Sequence, residues 1–448
     1  MSPFRTELRS LIRLAAPLAA AQAGTQVMGL VDLAVVGRLG ARELGAAGLG
    51  NAIFFTISIL GVGIVFGVDP MISHAFGGGD PVRARHVLWQ GVWLAIGVTV
   101  ALTIPLLFAP MLFPLFGVER SLQPMAIQFL LVRTAGLGPF LLFIVARAYL
   151  QAQHITRPMV VAMLVGNVFN LVADIVLVFG WGPFPRMGVA GAALSTDLGS
   201  VLQFAIAAWA IRSIHLPPHD AGALHHARWP EIRQDIRLGF PIGGQLAAEI
   251  GVFALVGLLA GHLGAIDLAA HQLVLAFVSL TFTISVGVAS AGSVRVGLAV
   301  GARDQARTRT AGFAAVTGGI GFMVAGATIF ALFPRAAARL VTNQETVIAA
   351  AVPIFLVAAV FQLSDGLQAI GAGVLRGAGD TVFPLTANLV GHWLIGLPIA
   401  LYLGFHRKMG IVGLWWGLCA GLTAVAVLLL IRFNRLSKTA IVPITRRA

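Results

Sequence analysis

Apolar residues fall in twelve long runs, near 11–37, 46–75, 88–115, 123–150, 158–181 and 188–212, then 238–263, 267–294, 310–334, 346–375, 382–405 and 411–432. Short polar turns rich in glycine, proline and arginine separate them. A helix rises about 1.5 Å per residue, so each run is long enough to cross a hydrocarbon core about 30 Å thick. The pattern predicts an all-α, polytopic membrane protein of twelve transmembrane helices.

The runs are duplicated. Ile12, Arg13, Leu14 and Pro17 recur at a separation of 224 as Ile236, Arg237, Leu238 and Pro241. Gly37, Leu39 and Gly40 recur as Gly261, Leu263 and Gly264, and Asp80 as Asp304. Such a long unbroken register marks two homologous six-helix lobes. Because six is even, both halves enter the membrane from the same side, so their expected relation is a pseudo-twofold along the membrane normal. The expected organisation is an N-terminal lobe over 1–213, a cytoplasmic linker with an amphipathic segment over 214–237, and a C-terminal lobe over 238–448.

Composition agrees with this architecture: 58% of residues are hydrophobic and only 10% charged, over 448 residues. The net charge of +13 therefore reads as membrane orientation and gives no indication of nucleic-acid binding. With the N-terminus inside, most of the 30 lysines and arginines fall in inner loops and tails, which predicts cytoplasmic N- and C-termini. The single cysteine, Cys419, provides no disulfide or metal motif, and His225 and His226 in the linker lack a second ligand cluster. The first span is too long for a cleaved signal peptide and is expected to stay in the mature protein.

Charges inside the spans carry the chemistry, because an ionised side chain near the bilayer centre costs about 2.5–3.5 kcal/mol on insertion scales. Asp32 lies about 22 Å along its helix from Pro17, and Asp174 about 24 Å along the fifth span, with Asn170 one turn below it. Thr196, on the returning sixth span, falls in the same layer. Two carboxylates, an amide and a hydroxyl at one depth suit a proton or a small hard cation such as sodium. Glu249 and Asp365 form a second set near mid-membrane, each about 16 Å from the inner end of its helix. Pro17, Asp197, His271 and Gln272 are candidate substrate or gating residues, whereas Asp69 beside Pro70 fits a kink as well as a gate contact.

These residues resemble the multidrug and toxic compound extrusion (MATE) family over almost the whole chain. By its motifs the family's first-helix aspartate corresponds to Asp32 in VDLAVVGRLG and its bending proline to Pro17. Its amino-lobe cation site corresponds to Asn170, Asp174 and Thr196, and its carboxy-lobe acids to Glu249 in QLAAEIG and Asp365 in QLSDGLQA. The resemblance implies a non-enzymatic antiporter of a bacterial inner membrane that exports amphiphilic, often cationic drugs or toxic metabolites by alternating access. Sodium or a proton would be the coupling ion, with Asp32, Asn170, Asp174 and Thr196 as ligands if it is sodium, and no other cofactor. The expected partners are small molecules and the lipid bilayer, and the expected state is a monomer. A lipid-precursor or polysaccharide flippase of the same superfamily is the alternative, although its cavity should carry cationic side chains and the deep charges here are acidic. An intramembrane prenyltransferase would need a second aspartate-rich motif, and a channel would need a pore loop.

Overall fold

The computed structural model describes residues 3–115, 117–214 and 225–444, so part of the expected linker, residues 215–224, and the last four residues lie outside the described residues. The first half comprises α1 (Pro3–Gly37), α2 (Ala41–Val65), α3 (Val68–Gly77), α4 (Pro81–Phe108), α5 (Gln123–Ala135), α6 (Leu137–Ala152), α7 (Arg157–Phe179) and α8 (Val189–Arg212). The second comprises α9 (Trp229–Leu263), α10 (Ala265–Gly301), α11 (Gln305–Leu332), the short α12 (Pro334–Arg339), α13 (Glu345–Gly377), α14 (Val382–Asn388), α15 (Leu397–Leu401) and α16 (Gly410–Leu436). Among the described residues there is no strand. Eleven helical stretches among the described residues are long and apolar enough to span a membrane, and α5 with α6, bent by 40° at Gly136, makes the twelfth. The twelve-span expectation is therefore met.

Local chemistry repeats with the duplication. Asp80 caps α4 by accepting a hydrogen bond from the Arg83 amide at 2.8 Å, and Asp304 caps α11 by accepting from the Arg307 amide at 2.9 Å. Each cap satisfies one of the amides that a helix start leaves unpaired.

The chain divides into two compact units, one of Ala20–Gly243 and one of Met1–Ala19 with Gly244–Ala448. These limits do not follow the halves of the sequence. The leading segment of α1 belongs with the second half, and the leading segment of α9 with the first. Both changes of unit come two residues after a helix-internal proline, Pro17 in α1 and Pro241 in α9. Proline lacks the amide that would close the previous turn, so each helix can bend where it passes from one unit to the other.

Each leading segment is held in its unit in the same two ways. In the unit Ala20–Gly243, a Cβ on Gly63 would lie 2.2 Å from the Gly243 Cα; in the other, a Cβ on Gly287 would lie 2.6 Å from the Ala19 Cα. Both positions need glycine so that backbones can touch. The second device is an ion pair. Arg83 Nη1 lies 3.0 Å from the Glu231 carboxylate, and His86 Nε2 is also 3.0 Å from it. Glu7 accepts from Arg307 Nε at 3.0 Å and from Arg295 Nε at 3.0 Å. Glu7 and Glu231, like Arg83 and Arg307, are repeat equivalents, so the duplication has swapped the same pair twice.

Removing one partner of a buried ion pair leaves an uncompensated charge, at a cost of about 3–5 kcal/mol. Glu7→Gln is therefore expected to lower the apparent melting temperature of the detergent-solubilised protein by several degrees, and more than Glu231→Gln, because Glu7 engages two arginines. An equal or smaller loss for Glu7→Gln in a thermal-shift measurement would contradict this ranking.

Candidate functional site

In the unit Ala20–Gly243, α1, α7 and α8 bring the amino-half residues together. Asn170 and Asp174 are one turn apart on α7, and both are fully buried. The adjacent hydroxyls of α8 point about 100° apart, so they serve different carboxylates. Thr196 Oγ1 donates to Asp32 Oδ2 at 2.8 Å, and the Ser195 hydroxyl donates to Asp174 Oδ1. Asn170 Nδ2 in turn donates to Ser195 Oγ at 3.3 Å. The Asp32 and Asp174 carboxyl groups interact directly with one another.

Among the described residues no lysine or arginine forms a salt bridge with either carboxylate. Asp32 Oδ1, Asn170 Oδ1 and Asp174 Oδ2 are buried and have no hydrogen-bond partner. Three such oxygens on two helices fit a proton or a sodium ion, which takes hard oxygen ligands. The described residues contain no cluster of three or more His, Cys, Asp or Glu that could hold a metal ion, so the donor set does not suit a transition metal.

Ser195 was not singled out from sequence; the tandem Ser-Thr in an apolar run was its only signal. Hydrogen bonds to a charged group contribute about 1.5–3 kcal/mol, so Ser195→Ala is expected to raise the half-saturating coupling-ion concentration roughly tenfold or more. Ion-dependent transport measured at graded ion concentrations checks this, and an unchanged half-saturation would show that Ser195 is only packing. Asp197, adjacent to Thr196, pairs instead with Arg133 of α5, whose guanidinium lies 4.3 Å from the Phe54 ring centroid. Asp197 thus sits paired at the α5–α6 bend, where a Cβ on Gly136 would collide with its carboxylate.

The other unit carries the second set. Glu249 of α9 accepts from Gln368 Nε2 of α13 at 3.1 Å and from Asn388 Nδ2 of α14 at 3.4 Å. Asp365, one turn before Gln368 and 4% exposed, interacts electrostatically with Glu249. Two buried amides, which carry no distinguishing signal in the sequence, thus converge on Glu249. His271 is a core residue here: its Nδ1 accepts from Trp415 Nε1 at 3.1 Å. Gln272 is exposed, and Pro17 marks the change of unit in α1.

Comparison with known proteins decides the family. A sequence model of the MatE family matches residues 17–176 and 241–402. The chain is 37% identical over 446 residues to the "Probable multidrug resistance protein NorM" of Rhizobium meliloti (strain 1021), covering 96% of this chain and 94% of that protein. It is 33% identical over 428 residues to the "Multidrug resistance protein NorM" of Burkholderia vietnamiensis, covering 94% and 92%. The chain belongs to the MATE family.

Solved structures agree on the fold of this MATE protein. The eukaryotic MATE transporter AtDTX14 superposes with a TM-score of 0.85 at 20% identity, covering 98% of this chain and 99% of that one. An outward-facing multidrug resistance MATE transporter of the MOP superfamily superposes at 0.86 and 22%, covering 97% of both chains. The fold is the twelve-helix, two-lobe MATE fold, and membership of the MATE family makes the chain a transporter and not an enzyme. Both carboxylate sets of this MATE chain fall on helices that the family match covers.

Proposed function

We propose that this MATE protein is a cation-coupled antiporter that exports amphiphilic, often cationic compounds from a bacterial cell through the inner membrane. The observation that carries this reading is the direct approach of Asp32 to Asp174 on separate helices with no basic partner. Two adjoining carboxylates in a low-dielectric site cannot both stay charged unless a proton or a cation lies between them. Binding of that ion ties α1 to α7 and α8 through Thr196 and Ser195. Its loss leaves two like charges facing one another, which favours displacement of the part of α1 beyond Pro17. A ligand can shift a conformational equilibrium only by binding its states unequally, and a site shared between helices meets that condition. The two six-helix lobes, joined through residues 214–237, would alternate access to the two sides, with both termini cytoplasmic and the protein acting as a monomer.

The multidrug reading rests on the NorM relatives, which are named multidrug resistance proteins. Purified protein in proteoliposomes, loaded with a panel of cationic dyes, tests the whole proposal under separately imposed proton and sodium gradients. An inward gradient of one ion should drive dye movement in the opposite direction. Dye movement that ignores both gradients would overturn the antiport reading.

A further inference from the structure

A five-residue stretch of the first half returns in the second with two changes. Residues 170–174 read Asn-Leu-Val-Ala-Asp, and residues 388–392 read Asn-Leu-Val-Gly-His. The second copy is out of register with the duplication around it. Pro158 and Pro384 are 226 positions apart, whereas Asn170 and Asn388 are 218 apart, so the second motif lies about two helical turns nearer the start of its span. From Pro384 to His392 the helix rises about 12 Å, to mid-membrane, the level of Glu249 and Asp365.

The structure places the amide of this stretch against Glu249. Asn388 donates to Glu249, as Asn170 donates into the Asp174 site. Four residues on, the His392 ring lies 6.3 Å from the ring of Phe253, one turn beyond Glu249 on α9. His392 is 1% exposed, and neither of its ring nitrogens has a hydrogen-bond partner. The backbone around it is unusual too: Leu389–Gly396 is π-helical, and Gly391 packs against Gly421 and Val425 of α16. π turns within α-helices are frequent at functional sites. A phenylalanine would fill the same place against Phe253 without burying two polar atoms, so packing alone does not account for an imidazole.

We propose that His392 is a proton-carrying residue of the carboxy-lobe coupling site, holding there the position in the motif that Asp174 holds in the amino lobe. The inference rests on the coupling reading given above. The proton passes between the Glu249 carboxyl and a ring nitrogen of His392, through water held by Asn388: the O–H bond of the acid breaks, an N–H bond forms, and carboxylate and imidazolium result. The titratable groups at mid-span on the packed helices are Glu249 on α9, Asp365 on α13 and Cys419 on α16. An imidazole is a poor sodium ligand, so His392 itself serves protons and not sodium.

The test uses full-length protein in proteoliposomes with ethidium as the transported probe. His392→Phe and His392→Gln are each expected to lose roughly tenfold in proton-driven efflux and to change its pH dependence. His392→Asp, which restores the first-half motif, should recover proton-driven efflux, and flux driven by a sodium gradient should be unchanged in all three. Wild-type rate and pH profile in His392→Gln would overturn the assignment, as would equal loss under both gradients, which marks a packing role. A wild-type protein driven by neither gradient would instead fail the antiport reading, and one driven by sodium alone would remove only the role of His392. Should the variants fold poorly, ¹⁵N-histidine spectra of the wild type provide a second route. A buried imidazole resonance that titrates with pH supports the proposal, and none that does so contradicts it.

Discussion

Asp32→Asn is expected to abolish gradient-driven efflux while leaving the protein folded and inserted. The amide can still accept the hydrogen bond that Thr196 Oγ1 donates at 2.8 Å, so the link between α1 and α8 survives. It cannot take up a proton, and it removes one of the two charges that make the site respond to an ion. Without that response no ion gradient biases α1. Asp174→Asn should be milder, or harmful under one gradient only, because its amide oxygen can still serve sodium but cannot carry a proton. Ethidium efflux from proteoliposomes matched for protein content measures both. Full efflux by Asp32→Asn would sink the amino-lobe coupling model.

The second large effect is expected from Glu249→Gln and Asp365→Asn. Glu249 is the point where three helices meet, since α13 and α14 each send it an amide. Asp365 is buried within electrostatic range of Glu249. Residues that act as one unit give non-additive losses. Each single variant should therefore cut transport strongly, and the double variant should be little worse than the more damaging single one. Additive losses in initial efflux rates would argue for separate roles. Normal transport by both single variants would make these acids structural and leave coupling to Asp32 and Asp174.

Hydropathy alone located the spans, because crossing a bilayer demands long apolar runs, and the duplication was legible because its register of 224 is unbroken over the first helices. The candidate coupling acids stood out for a similar reason: a carboxylate in such a run is costly, and helical rise gives its depth. Hydropathy does not say which neighbour a helix takes. The exchange of leading segments across Pro17 and Pro241 was therefore hidden, as were the Glu7–Arg307 and Glu231–Arg83 pairs that join residues far apart in the chain. Neutral ligands were hidden for another reason. Ser195, Gln368 and Asn388 cost little to bury once bonded, so nothing in the sequence separates them from serines and amides that merely bond their own backbone. The pairing of Asp197 with Arg133 depended on the bend at Gly136, which composition does not predict.

The claim at the centre of this account is that export is linked to ion entry at Asp32 and Asp174. Simultaneous recording of ethidium efflux and of proton or sodium influx in the same proteoliposomes tests it most directly, with wild type and Asp32→Asn compared side by side. The account predicts a fixed ratio of ions entering to dye leaving in the wild type, and the loss of both fluxes together in the variant. Dye efflux that continues in Asp32→Asn at the wild-type ratio, or that proceeds in the wild type with no ion movement, would contradict it.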